Sequence, residues 1–253
     1  MNGIIDFHTH PLYNFHLDEH GVDIDTRLFR KDLEECGVVH ACGSVIYKEM
    51  NGHPVKEYET IVPTLNRQAL ACRDEWGSFY TPGIHIHPSF INMSCEEIDF
   101  ACGQGVHLIG ELVPYMMGWN QYNCKGMLEI LEYAAEKNMV VSMHPTNYDD
   151  MDALAKQLPH LKIVYAHLSG TDDQLRLMRH HENVCFDYCA HGMDHDGMLR
   201  YAVDHVGSER ILFGTDFPGD SPVSDIQAAM DSDLTDAERE NILCNNARRL
   251  LNL

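Results

Sequence analysis

"MVVSMHPTNYDDMDALAKQLPHLKIVYAH", residues 139–167, holds two short apolar runs, each closing on a histidine, with a helix-length segment between them. A run that is apolar on both faces reads as a strand of a parallel sheet covered by helices, and strand, helix, strand is how parallel strands connect. The unit recurs along the chain. Runs rich in Val, Ile and aromatics also occupy 3–8, 38–46, 79–86, 106–113, 183–188 and 210–216, which makes eight candidate strands. Helix punctuation lies between them. Gly37 closes "DTRLFRKDLEECG", and Pro63 is placed to open a helix carrying Leu65, Ala69, Cys72 and Trp76. Ser94 with Glu97, Thr171 with Gln174 and Thr235 with Glu238 fit capping boxes, and Leu128, Leu131 and Ala135 form one stripe. No fixed-period repeat, low-complexity tract or Pro/Gly/Ser linker interrupts the series. Eight such units in 253 residues predict an α/β fold, a closed (β/α)8 TIM barrel forming a single domain over 1–253.

Composition narrows the partners. Lys and Arg number 18 against 39 Asp and Glu, a net charge of -21 with histidine neutral, and such a surface repels polyanions. Gripping nucleic acid takes several cations on the phosphates, so no nucleic-acid partner is expected. The 9 cysteines include no C-x-x-C pair, and no basic-plus-apolar export segment opens the chain. No run approaches the ~18 to 20 apolar residues that a membrane helix needs. Reduced thiols in a cytoplasmic protein, with no membrane insertion, are the expectation.

Strand side chains alternate, so in "IIDFHTH" (4–10) His8 and His10 point to one side with Asp6 below them, while Ile5 and Phe7 point to the other. The C-terminal ends of four further runs hold Glu111 in "LIGEL", His144 in "VVSMHPT", His167 in "IVYAHLSG" and Asp216 in "ILFGTDFP". Each has a bland reading alone: with 17 histidines a chance H-x-H is easy, His144 could be a hydrogen-bonded core residue, Asp216 a helix cap and Glu111 a surface acid. Together they put ionisable groups, rarely buried without partners, at the same end of five apolar strands. In a barrel that end is the active-site face, where all six would converge. Imidazole with carboxylate is a donor set that suits a borderline divalent ion, zinc first, with manganese or iron as alternatives.

"DFHTH", "GEL", "MHPT", "AHLSG" and "FGTDFP" resemble the strand-one, four, five, six and eight motifs of the amidohydrolase superfamily. "SERILFGTDFP" and the closing "ILCNNARRLLNL" resemble its amidohydrolase-2 branch, and the likeness spans nearly the whole chain. The resemblance implies a metal-dependent barrel hydrolase. It also implies His8, His10 and His144 as metal ligands, Asp216 as ligand and proton acceptor, and His167 as a second-metal ligand or catalytic group. Many two-metal members carry a carboxylated lysine on strand four where this chain has Glu111. A glutamate bridge there, with "GIHIHP" (83–88), resembles the superfamily's metal-dependent nucleases. With two ions Glu111 would be shared between them; with one, Glu111 and His167 become supporting or acid-base groups.

The expected chemistry is cleavage of a C-N or C-O bond of a small molecule by water whose pKa a divalent ion lowers toward ~7. Asp216 would take the proton and hand it to the leaving group, and His167 would donate to the developing oxyanion. Non-oxidative decarboxylation of an aromatic acid, phosphoester hydrolysis and a metal-holding barrel without turnover are the alternatives. Other residues have roles still to place. His85 and His87 share a strand face and are expected behind the ligands or at the substrate, and Lys48, Tyr115, Trp119, His191 and His195 sit in loops above the mouth. His180 and His181 read as a solvated helix end, and Cys185 and Cys189 as small core hydrophobes. G-x-S-x-G and H-E-x-x-H are absent, and Glu111 stands where "GVHLIGEL" would need a phosphate-loop lysine. The oligomeric state stays open, a homo-oligomer included.

Overall fold

The computed structural model describes residues 3–12, 26–47, 50–189 and 197–253, with the side chains of Thr26 and Arg27 excepted. All eight predicted strands form: β1 Ile4–Thr9, β2 Val38–Ser44, β3 Tyr80–Gly83, β4 Leu108–Leu112, β5 Val140–Met143, β6 Lys162–Tyr165, β7 Val184–Tyr188 and β8 Ile211–Phe213. They pair in parallel and in chain order, β1 to β3 in one ladder and β4 to β8 in another. Two seams join the ladders. At β3–β4, Ile84 N donates to Leu108 O (3.0 Å) and Gly110 N to Ile84 O (2.8 Å). At β8–β1, Asp216 N donates to His8 O and His10 N to Phe217 O, both 2.8 Å. The (β/α)8 TIM barrel is closed.

Both seams depend on glycine. A Cβ on Gly83 would stand 1.7 Å from Gly110 O, and one on Gly214 would stand 2.5 Å from His8 Cβ, so no other residue permits these approaches. A buried clamp adds to the second seam. Asp6 is fully buried, accepts from Thr215 Oγ1 (2.6 Å) and from the backbone N–H groups of Thr215 and His8 (3.1 Å each), and burial pushes its carboxyl up to about 7 against those bonds.

The helices α1 Thr26–Glu35, α2 Tyr58–Trp76, α3 Ile91–Gly103, α4 Lys125–Glu136, α5 Tyr148–Gln157, α6 Asp172–His180, α7 Met198–Val206 and α8 Pro222–Asp231 follow their strands in turn. After them, α9 Asp236–Glu240 and α10 Asn246–Leu251 frame a wider helical turn, Asn241–Asn245, that packs against β8 and β1. Cys42, Leu108, Val140, Val164, Cys185 and Leu212 pack in one apolar cluster with Ile5, Phe7, Cys244 and Ala247. Along β5, β7 and β8 these apolar residues precede the polar ones, so the barrel is dry toward its N-terminal end and polar at its mouth. Among the described residues no helix is long and apolar enough to cross a membrane.

Several expected helix signals are corrected. Pro63 lies inside α2, which starts at Tyr58; the buried Tyr58 hydroxyl contacts Met50 O (2.9 Å) and Met116 O (3.0 Å) and anchors the first turn ahead of the proline. Ser94 and Glu97 form no capping box, because the Ser94 hydroxyl accepts from His87 N (2.9 Å) and Arg67 takes Glu97 in two 2.9 Å bonds. Thr171 does cap α6, yet the Gln174 side chain turns to Ser169 and His167 O. Thr235 and Glu238 form the full box. In α4 the buried stripe is Met127, Ile130, Leu131 and Ala134, because Gly126 seats the helix against Pro88 O, where a Cβ would stand at 2.1 Å.

Thr215→Val removes the hydroxyl from the Asp6 clamp and leaves a buried carboxyl short of a partner. The expected loss is about 1–3 kcal/mol, read as a lower urea midpoint with an unchanged slope.

Candidate metal centre

β1, β4, β5, β6 and β8 each deliver a predicted residue to the mouth, and all six come together. The outer nitrogens of the first two are held from behind: His10 Nδ1 donates to Ser44 O (3.0 Å), and His8 Nδ1 lies 3.1 Å from Asp187 Oδ2. That aims both Nε2 atoms inward, 3.1 Å apart. Glu111 Oε2 lies 3.3 Å from each, and Asp216 Oδ1 lies 3.5 Å from His8 Nε2 and 3.2 Å from His10 Nε2. Two nitrogens and two oxygens therefore face one point. The other oxygen of Glu111, Oε1, faces His144 Nδ1 (3.1 Å) and His167 Nε2 (3.7 Å), which makes a second donor group.

Electrostatics explains why these groups tolerate burial. Burial works against charge on His8, but Asp187 and Glu111 lift its pKa well above the ordinary value. Burial likewise opposes charge on His10, yet hydrogen bonds with Asp216 and Glu111 carry it up to about 9. The carboxylates respond in kind. Glu111, 3% exposed, would be raised by burial, but His8, His10 and His144 hold it well below the carboxylate range. Asp216, 24% exposed, is also opposed by burial and comes down to about 2 through His10 and His8. Among the described residues every ion-pair partner of Glu111, Asp187 and Asp216 is an imidazole. Two Nε2 atoms facing each other between carboxylates need positive charge between them, and protons or a divalent cation supply it. The donor chemistry fits a divalent ion, and the outer nitrogens are already held as such ligands require.

A cavity of about 290 Å³ opens above the donors. His10, Glu111, His144, His167 and Asp216 form its polar side, and Ile46, Val113, Tyr115 and Met116 form its apolar wall. The volume suits a small molecule. Among the described residues that line it, none is Lys or Arg.

Asp187, buried at the end of β7, escaped the sequence reading: it contacts His8 and accepts from His167 N at 3.0 Å. Its one signal is an acid inside the apolar run "NVCFDY". Cys185 packs in the apolar cluster as expected, whereas Cys189 sets its Sγ 2.8 Å from His167 Nδ1 and belongs to none of the clusters. His85 and His87 are buried, with Nε2 bonded to Val45 O (2.8 Å) and Met117 O (3.0 Å), and neither lines the cavity. Tyr115 lines it and its ring meets His144, while Trp119 packs against Tyr122. His181 pairs with Asp152 at 2.8 Å. Lys48, His191 and His195 lie outside the described residues.

No curated protein sequence matches the chain significantly. Among solved structures, it is similar over 100% of its length to 99% of a 2,6-dihydroxybenzoate decarboxylase from Rhizobium, with a TM-score of 0.74 and 16% identity. A dihydroxybenzoic acid decarboxylase from Polaromonas, with bound manganese and the inhibitor 2-nitroresorcinol, matches with a TM-score of 0.75 and 14% identity, covering 100% of this chain and 98% of that one. A 5-carboxyvanillate decarboxylase from Novosphingobium aromaticivorans, complexed with manganese and a nitrobenzoic acid, gives 0.73 and 14%, covering 96% and 86%. At these identities the likeness is one of fold. The family model described as Amidohydrolase matches residues 100–253, more than half of the sequence, and the chain belongs to the amidohydrolase-2 family.

Proposed function

We propose that the protein is a metal-dependent hydrolase cleaving a C-N or C-O bond of a small molecule. One observation carries this reading: His8 Nε2, His10 Nε2, Glu111 Oε2 and Asp216 Oδ1 face a single point at the floor of a cavity that Asp216 also lines. These four residues would hold the ion, with His144 holding Glu111 in place. A divalent ion bound there would supply Lewis acidity and a water of lowered pKa. Zinc suits the mixed nitrogen and oxygen donors, and manganese, present in two of the similar structures, suits the carboxylates.

The chain's own groups do the rest. Asp216 accepts a proton from water in the cavity and returns it to the leaving group. His167 faces the same space and donates to the oxygen that gains charge. The apolar wall excludes water from one side of the substrate.

A second reading, non-oxidative decarboxylation of an aromatic acid, is favoured by the apolar wall of Ile46, Val113, Tyr115 and Met116 and by the decarboxylases that share the fold. Zinc- and manganese-loaded protein assayed on ester, lactone and amide surrogates, beside carbon dioxide release from hydroxybenzoates, decides between them. Hydrolysis without carbon dioxide is expected; carbon dioxide release alone overturns the hydrolase reading in favour of the second.

Asp216→Asn should lower turnover by about 10²- to 10⁴-fold, the range for a lost general acid-base group; unchanged turnover contradicts its role. Metal uptake should also depend on pH. His10 keeps its proton up to about 9 in the metal-free site, against an ordinary value of 6.5. An ion must displace that proton, so apparent zinc affinity rises about tenfold per pH unit for each proton released and levels off only near that higher value. Competition titration with a chelating dye checks this, and an affinity that stops rising near the ordinary histidine value contradicts the charge arrangement.

A further inference from the structure

Cys189 follows β7, is fully buried, and contributes to no apolar cluster. Its Sγ lies 2.8 Å from Nδ1 of His167. The opposite nitrogen of that ring, Nε2, lies 3.7 Å from Glu111 Oε1, and the ring lines the cavity. A neutral imidazole carries a single N–H, and the partner of one nitrogen decides which atom of the ring bears it. The thiol stays protonated, because burial and the neighbouring charge of Asp187 push it far up. A thiol hydrogen facing Nδ1 and a carboxylate facing Nε2 both require the same tautomer.

The backbone of His167 is pinned separately, by its N–H to Asp187 Oδ1 (3.0 Å) and by Gln174 Nε2 donating to its carbonyl (3.1 Å). The ring lies against those of His8 and His144, with centroids 5.1 and 5.0 Å away, and its proton position depends on what its two nitrogens meet. We propose that Cys189 is a positioning residue: by donating its thiol hydrogen to Nδ1 of His167 it fixes the ring proton on Nε2, so that His167 serves the cavity as a hydrogen-bond donor and not as a ligand of a second ion. This rests on the hydrolase reading for what His167 does, and it decides how many ions the mouth holds. Nε2 bearing a proton has no lone pair for a metal, which takes the third donor from the group of Glu111, His144 and His167.

The test uses zinc-loaded protein labelled with ¹⁵N at histidine. The His167 ring signals are assigned by their loss in His167→Gln, and zinc per chain is measured on the same samples. Wild type should bind one zinc and show Nε2 protonated, with Nδ1 displaced upfield by the hydrogen bond it accepts. Cys189→Ser, which keeps a donor, should retain that pattern, and Cys189→Ala should lose the displacement. A ring spectrum identical in all three proteins overturns the proposal. So does a second zinc with Nε2 unprotonated, and that result leaves the hydrolase reading standing. Failure to take up zinc at all overturns the metal-dependent reading instead, and the metal-free spectra of the same three proteins then decide the tautomer.

Discussion

Negative charge in a dry place is the constraint on which this molecule depends. Glu111 and Asp187 are buried at the barrel mouth, Asp216 is largely covered, and no lysine or arginine pairs with any of them among the described residues. Carboxylates cannot keep their charge in such a place without compensation. Four imidazoles surround them, and two, His8 and His10, hold protons far more tightly than a free histidine. The metal-free site thus balances its charge with protons where an ion would do the same with better geometry.

The contacts that close the barrel are also the ones that assemble the site. His8 gives its carbonyl to Asp216 N, packs its Cβ against Gly214, and gives its backbone N–H to Asp6, which Thr215 grips from just beyond β8. A ligand set built on strand ends and fixed by the seam is held more rigidly than one carried on loops. Tyr122 extends the arrangement to the next strands, its buried hydroxyl contacting Leu112 O at 3.0 Å and His144 O at 2.9 Å, beside Glu111 and His144. A change in those buried bonds acts on fold and site together, and the cavity wall is tied to the donors as well, through the Tyr115 ring against His144.

Much of this was legible in the chain because strand ends are legible. Eight apolar runs gave the barrel, and an ionisable residue at the close of five of them gave the six site residues without knowledge of how the strands pair. Asp187 was harder to read, because it sits between Phe186 and Tyr188 inside its run and only the packed barrel shows that it turns toward His8. Cys189 reads as a core filler because a buried thiol looks the same in sequence whether it meets leucine or imidazole. The helix errors have a similar source: Pro63, Ser94 and Leu128 each obey a local rule that a distant contact overrides, through Tyr58, His87 and Pro88. Substrate choice depends on wall and loop residues whose spacing carries no periodic signal.

The most direct measurement is an anomalous difference map, recorded at the zinc edge, from crystals of chelator-stripped and zinc-reloaded protein. A peak is expected between His8 Nε2, His10 Nε2, Glu111 and Asp216, within bonding distance of all four. A reloaded crystal with no peak there, or with its zinc bound elsewhere on the chain, contradicts it.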